Sequence, residues 1–208
     1  MTRDQVQSVH DDIAYMKALA QEGRRAPLLG GRILVAAGLV FGLAALVHYA
    51  AAAGVVMIGG WGFVVLWGVA MAVFFAALMV CIRKDKTKPG AHSLVNRAGG
   101  AGWMGVGLAT FVLFLSMVVI AWTTRRGDVF LIFPSLIFAL YGAGWAVSAT
   151  MSGQRWQWRL AVGSWIAAPL IAFLTGSPLM WLGYAAGLVL FALVPGLVLV
   201  RQEPAEVI

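Results

Sequence analysis

The feature that most constrains this chain is a series of long apolar runs separated by short polar gaps. The six runs occupy 33–53, 55–82, 102–122, 129–151, 160–175 and 178–200. An α-helix rises about 1.5 Å per residue, so about 20 residues cross a hydrocarbon layer about 30 Å thick. The first four runs reach that length outright, whereas the fifth is shorter and contains Pro169. The fifth and sixth runs predict a tight helical hairpin, with a re-entrant pair as the alternative.

Composition indicates what surrounds these runs. Of the 208 residues, 62% are hydrophobic and 11% are charged, against roughly half and about a quarter in a soluble domain. A chain this short cannot bury so much apolar surface in one core, and in lipid the backbone must satisfy its own hydrogen bonds as helix. We therefore predict an all-α membrane protein: a cytoplasmic amphipathic helix at 1–28, six transmembrane helices arranged as three hairpins at 29–201, and a cytoplasmic tail at 202–208.

The distribution of positive charge predicts the orientation. The net charge is +7, but the Lys and Arg residues lie in the gaps between apolar runs, which is typical of membrane topology rather than of nucleic-acid binding. Arg125 and Arg126 lie on one predicted side of the membrane. The other side carries Arg3, Lys17, Arg24, Arg25, Arg32, Arg83, Lys84, Lys86, Lys88, Arg97, Arg155, Arg159 and Arg201. Because cationic short loops stay in the cytoplasm, both termini are predicted to be cytoplasmic. The Ala, Gly and Trp content is typical of a GC-rich bacterial genome and so favours the inner membrane.

The segment 4–22 has the pattern of an amphipathic helix. Its apolar stripe, spaced three and four residues apart, consists of Val6, Val9, Ile13, Met16 and Ala20. The opposite side carries Gln7, Asp11, Asp12, Lys17 and Gln21. Segment 1–25 contains equal numbers of acidic and basic residues, unlike a helix that binds anionic lipid. The stripe predicts docking to a cytoplasmic protein partner or self-association, with packing against the chain's own loops as the alternative.

Ionisable groups are scarce inside the apolar runs, where they usually carry function. His48 is the only one, about one turn from the outer end of the first run. It is a candidate intramembrane polar site, although a histidine that only bonds a neighbouring helix is the more common case. The sequence has one cysteine, Cys81, and shows no recognisable nucleotide, metal or nucleophile motif. We therefore expect no cofactor, metal centre or catalytic residue.

Glycines at helical spacing predict close helix packing. Gly38 and Gly42 form one GxxxG pair, Gly183 and Gly187 form another, and Gly142 belongs to a related small-residue pattern. Such positions let helix backbones approach each other, within one chain or between two copies.

The gap after the second run is strongly basic. It carries Arg83, Lys84, Lys86, Lys88 and Arg97. These residues are candidate contacts for anionic lipid head groups or for an acidic partner, and topological anchoring alone is the alternative.

Two classes of function remain open at this point. One is a non-catalytic membrane protein that senses, scaffolds or regulates through a cytoplasmic partner. The other is a small transporter or channel for neutral or hydrophobic solutes, which weak similarity among the three predicted hairpins favours.

Overall fold

The structure is a computed structural model that describes residues 10, 12–14, 28–88, 90–91 and 93–203. Within this part of the chain the regular structure is entirely helical, which confirms the predicted all-α class. The helices are α1 Gly31–Ala52, α2 Gly60–Asp85, α3 Leu94–Thr124, α4 Phe133–Ser152, α5 Arg155–Phe173 and α6 Leu179–Gln202. A 3₁₀ turn, Asp128–Ile132, leads into α4. Of the predicted N-terminal stripe only Ile13 is described, in a short helical stretch and exposed; Val6, Val9, Met16 and Ala20 lie outside the described residues.

Five helices are long and apolar enough to cross a membrane: α1, α2, α3, α4 with its 3₁₀ turn, and α6. Only 6% of the most apolar 18-residue window of α2, and of that of α3, is buried within the protein. Soluble monomers rarely expose apolar surface on this scale. The chain therefore has the build of a multi-pass membrane protein. Helix α5 falls outside this group because Arg155, Gln157 and Arg159 occupy its first turns.

The helices pack in an order that differs from their order in the chain. Helix α1 lies between α2 and α6, and α4 lies between α3 and α5. Phe138 of α4 joins the two groups, because its ring contacts Tyr184 and Phe191 of α6. The contact between α1 and α6 is the most extensive and that between α4 and α5 is the next, whereas α5 and α6 touch little. The packed pairs are thus α1–α2, α3–α4, α4–α5 and α1–α6, and the predicted α5–α6 hairpin is adjacent in sequence rather than closely packed.

Glycines explain why α6 packs against α1. A Cβ built on Gly31 would lie 2.8 Å from the carbonyl oxygen of Gly196, and one on Gly196 would lie 2.8 Å from the carbonyl oxygen of Gly31. Farther along, a Cβ on Gly38 would lie 2.7 Å from the backbone nitrogen of Leu193. Gly42, the second residue of the same GxxxG pair, has no such neighbour within 4 Å. The two helices therefore cross backbone to backbone, and only some of the glycines make the crossing possible.

The remaining predicted packing glycines receive aromatic or aliphatic side chains. A Cβ on Gly142 would meet the ring of Trp165 in α5, and one on Gly187 would meet the ring of Phe138. A Cβ on Gly183 would lie 3.1 Å from Cδ1 of Ile171. These glycines accommodate side chains within one chain, across the α4–α5 and α4–α6 contacts and between α5 and α6.

Helix α6 contains a π-helical segment, Val189–Leu193, just before Pro195. Proline has no amide hydrogen, so the Phe191 carbonyl cannot receive the usual α-helical bond from the residue four positions ahead. The indole nitrogen of the fully buried Trp145 donates to this carbonyl at 2.9 Å. The break in α6 is therefore compensated from α4, as polar backbone atoms inside a membrane require.

Helix α5 lies along nearly the whole of α4. At one end the Ser152 hydroxyl donates to the side-chain carbonyl of Gln157 at 3.0 Å, and at the other the Ser135 hydroxyl donates to the backbone carbonyl of Ala168 at 2.8 Å. The polar first turn of α5 is partly covered by this packing, because Gln157 is fully buried. Helix α5 thus extends over most of the depth of α4 despite its shorter apolar stretch.

Candidate functional sites at the two ends of the bundle

One end of the bundle gathers segments that are far apart in sequence. The backbone amide of Leu29, just before α1, donates to the side-chain oxygen of Asn96 in the first turn of α3 at 3.0 Å. Lys88, just after α2, contacts Glu203 just after α6. We call this the basic end, since the cationic segments that flank α1, α2, α3 and α6 meet there. It also includes the end of α4 and the start of α5, because Trp103 near the start of α3 donates to the Ser148 hydroxyl at 2.9 Å.

Four charged side chains form an ion-pair cluster at the basic end, buried except for the partly exposed Arg32: Arg32, Asp85, Lys88 and Glu203. The Lys88 ammonium donates to the Glu203 carboxylate and lies 3.1 Å from Oδ1 of Asp85, a charge contact without hydrogen-bond geometry. The Arg32 guanidinium lies 3.8 Å from the Glu203 carboxylate. The side chains of Lys88 and Glu203 are 2% and 3% exposed. The cluster therefore joins the beginning of α1, the end of α2 and the end of α6, and its Lys88–Glu203 pair is removed from water.

The cluster is not fully hydrogen-bonded within the described part of the chain. Oδ2 of Asp85 and Oε1 of Glu203 are buried there without a hydrogen-bond donor. Buried carboxylates depend strongly on their cationic partner when their own hydrogen bonds are incomplete. Lys88 is therefore the residue on which the local electrostatic balance depends most.

The other cations of the basic end are exposed. Arg83, Lys84, Lys86 and Arg97 surround the α2–α3 connection with exposed side chains, and none forms an ion pair with another described residue. The five basic residues predicted as one group of contacts thus divide into four exposed cations and Lys88, which is buried in the cluster. Sequence reasoning missed this division because the partner carboxylate of Glu203 lies 115 positions away from Lys88.

His48 lies near the opposite end, surrounded by aromatic rings. The imidazole stacks on Trp181 of α6 with ring centroids 3.6 Å apart, and the Phe63 ring of α2 lies 4.4 Å away. The Trp67 indole nitrogen donates to Nδ1 of His48 at 3.0 Å. We call His48, Phe63, Trp67 and Trp181 the histidine–aromatic cluster, and it ties α1, α2 and α6 together at this end.

The hydrogen bond to His48 defines its protonation state. A ring nitrogen that accepts a bond carries no proton, so the imidazole is neutral with its hydrogen on Nε2. No group of three His, Cys, Asp or Glu side chains suited to a metal ion lies together in the described ranges. The geometry supports a histidine that packs and bonds between helices. The sequence contained the aromatic residues but no signal that they meet His48.

The bond between His48 and Trp67 leads to a testable coupling. We expect His48→Phe and Trp67→Phe to show a coupling of about 0.6 kcal/mol in a double-mutant cycle, the average for side-chain hydrogen bonds inside a membrane protein, whose maximum is about 1.7 kcal/mol. Thermal or chemical unfolding in detergent measures it. Trp61→Phe is the matched control, because Trp61 is on the same helix and 83% exposed. Additive effects of His48→Phe and Trp67→Phe would contradict the bond.

Near the far end of α3 the structure forms a surface ion pair. The Arg126 guanidinium donates to the Asp128 carboxylate, with Nε to Oδ1 at 3.2 Å. This hydrogen bond raises the pKa of Arg126.

Two recesses, of about 410 and 300 Å³, lie on α3 and the turn that follows it, one of them lined by Val112, Leu115, Ser116, Val119 and Ile120. Both open on the outer surface rather than between helices.

Comparison of the chain with protein-family models, with curated proteins and with solved structures finds no match.

Proposed function

We propose that this protein is a non-catalytic, multi-pass protein of the bacterial inner membrane that holds or regulates a cytoplasmic partner through segment 1–28. In this proposal α1 to α6 all span the bilayer, as three hairpins in chain order, and both termini are cytoplasmic. The cationic flanks of the helices support the orientation, since positive short loops remain inside. The extent of α5 along α4 supports a sixth span.

The observation that carries the proposal is the position of the ion-pair cluster. Segment 1–28 leads into Leu29 and the start of α1. The Leu29 amide bonds Asn96 in the first turn of α3, and the Arg32 guanidinium pairs with Glu203 just after α6. A partner bound to the segment therefore acts at the point where three membrane helices are joined. The apolar stripe predicted from the sequence would supply a docking surface, and the balanced charge of segment 1–25 favours a protein over anionic lipid. The two recesses on α3 open on the outer surface and so add no support for solute transport.

The test compares two double variants of the full chain in native membranes. Val9→Glu with Ile13→Glu places two negative charges on the stripe, and Gln7→Glu with Gln21→Glu places the same two charges on the opposite side. A photoactivatable residue at position 16 reports what contacts the stripe. We expect crosslinking to one defined cytoplasmic protein, abolished by the first pair and retained by the second.

Three other results would contradict the partner proposal. Crosslinks only to the chain's own loops would assign the segment to internal packing, and crosslinks only to a second copy would assign it to self-association. Solute flux in proteoliposomes, unaffected by deletion of residues 1–25, would favour the transporter.

A further inference from the structure

Helices α2 and α3 leave a gap between them. They are consecutive and joined by a short connection, yet they make almost no contact with each other. In the described part of the chain α2 packs against α1, and α3 packs against α4 and the 3₁₀ turn. We call the space between them the α2–α3 gap. Both helices are candidate membrane spans, and the short α2–α3 connection joins them at the basic end.

Both walls of the gap are apolar. Ala70 is the only buried residue of α2, and α3 buries a single stripe that includes Val95, Gly99, Val106 and Met117. The remaining circumference of both helices exposes side chains such as Val73 and Leu108, which are 50% and 58% exposed. An unfilled apolar space of this kind would lose its dispersion contacts, so acyl chains are its natural occupants inside a bilayer.

The mouth of the gap is cationic. Arg83 and Lys84 end α2, Lys86 follows it, and Arg97 lies in the first turn of α3, all exposed. Asp85 is the acidic residue nearest to them in the chain, and the buried Lys88 contacts its carboxylate. The exposed charge at the mouth is therefore positive. Four cations above an apolar gap match a phosphate head group attached to acyl chains, and basic pockets between helices on this side of a membrane bind such lipids.

We infer that the α2–α3 gap is a binding site for an anionic phospholipid, with its acyl chains between the two helices and its phosphate at Arg83, Lys84, Lys86 and Arg97. The site is independent of partner docking through segment 1–28. The basic residues of this end then have two roles: Lys88 pairs with the carboxylates of Asp85 and Glu203, and the four exposed cations bind the lipid phosphate.

The test uses the purified full chain with phosphatidylglycerol and with phosphatidylcholine of the same acyl chains. Binding is read from native mass spectrometry and from the midpoint of thermal unfolding. Each cation near an anionic head group contributes about fivefold in affinity. Arg83→Gln, Lys84→Gln and Arg97→Gln together should therefore lower the preference for phosphatidylglycerol at least about tenfold. Arg155→Gln, Arg159→Gln and Arg201→Gln, three exposed cations of the same end outside the gap, should leave that preference nearly unchanged.

Three outcomes would overturn the inference. Equal losses in the two triple variants would show a general electrostatic attraction without a site. Full stabilisation by glycerol phosphate, which has no acyl chain, would show a phosphate site that does not use the gap. A disulfide-linked dimer formed through Val73→Cys in a Cys81→Ser background would show that a second copy fills the gap. Labelling of α2 and α3 by a lipid with a photoactivatable acyl chain would support the inference directly.

Discussion

Replacing Lys88 with methionine is expected to lower the free energy of unfolding by about 3–5 kcal/mol, the usual effect of removing one partner from a buried ion pair. The substitution keeps most of the side-chain volume but leaves the carboxylates of Asp85 and Glu203 without the ammonium that contacts both. For a chain of this length such a loss corresponds to a drop of about 10 °C in the midpoint of thermal unfolding. The midpoint measured in detergent at constant pH tests the prediction.

The matched control for this experiment is Lys84→Met. Lys84 is exposed in the last turn of α2, shortly before Lys88 in the chain. Surface substitutions usually change stability by no more than about 0.5 kcal/mol. Adding Asp85→Asn and Glu203→Gln to Lys88→Met should restore part of the loss, because no buried carboxylate is then left unpaired and the remaining charge, Arg32, is partly exposed to solvent. The loss should persist at high salt, since buried pairs are screened little. Equal effects of Lys84→Met and Lys88→Met would contradict the cluster.

The fate of these two lysines shows what sequence can and cannot predict. A run of apolar residues is a local pattern that can be read from consecutive positions in the chain. The helices and their lipid-facing character could therefore be predicted from the sequence. Lys84 and Lys88 have the same local signature of a basic segment after a span. Only the folded arrangement of α2 and α6 brings Glu203 to one of them, and no periodicity within the segment carries that information.

The start of α3 also could not be predicted from the apolar pattern. The apolar run begins near residue 102, whereas the helix begins at Leu94. The Ser93 hydroxyl accepts a hydrogen bond from the Asn96 amide and caps the helix, and Asn96 also bonds Leu29. Hydropathy reports where lipid begins, but capping and tertiary hydrogen bonds decide where the helix begins. The same holds for His48, because only the folded structure shows that its Nδ1 accepts a hydrogen bond from Trp67.

The GxxxG pair of α1 gives the second large effect, and its two glycines should respond in opposite directions. A methyl group on Gly38 would lie 2.7 Å from the backbone nitrogen and 2.9 Å from Cα of Leu193. Backbone atoms cannot rotate away as a side chain does, so α1 and α6 must separate. Gly38→Ala is expected to destabilise the protein by about 1–3 kcal/mol or more, as overpacking of a core does.

Gly42→Ala is the matched control, since it adds the same methyl group one turn farther along α1. No neighbouring atom lies within 4 Å of that position, and alanine is favoured over glycine in a helix interior by about 0.5–1 kcal/mol. Gly42→Ala should therefore leave the unfolding midpoint unchanged or raise it, while Gly38→Ala lowers it. Loss of stability in both variants would mean that α1 packs through the whole motif, as with two helices related by a GxxxG contact. The opposite signs instead follow from an α1–α6 crossing that runs through Gly31, Gly38 and Gly196.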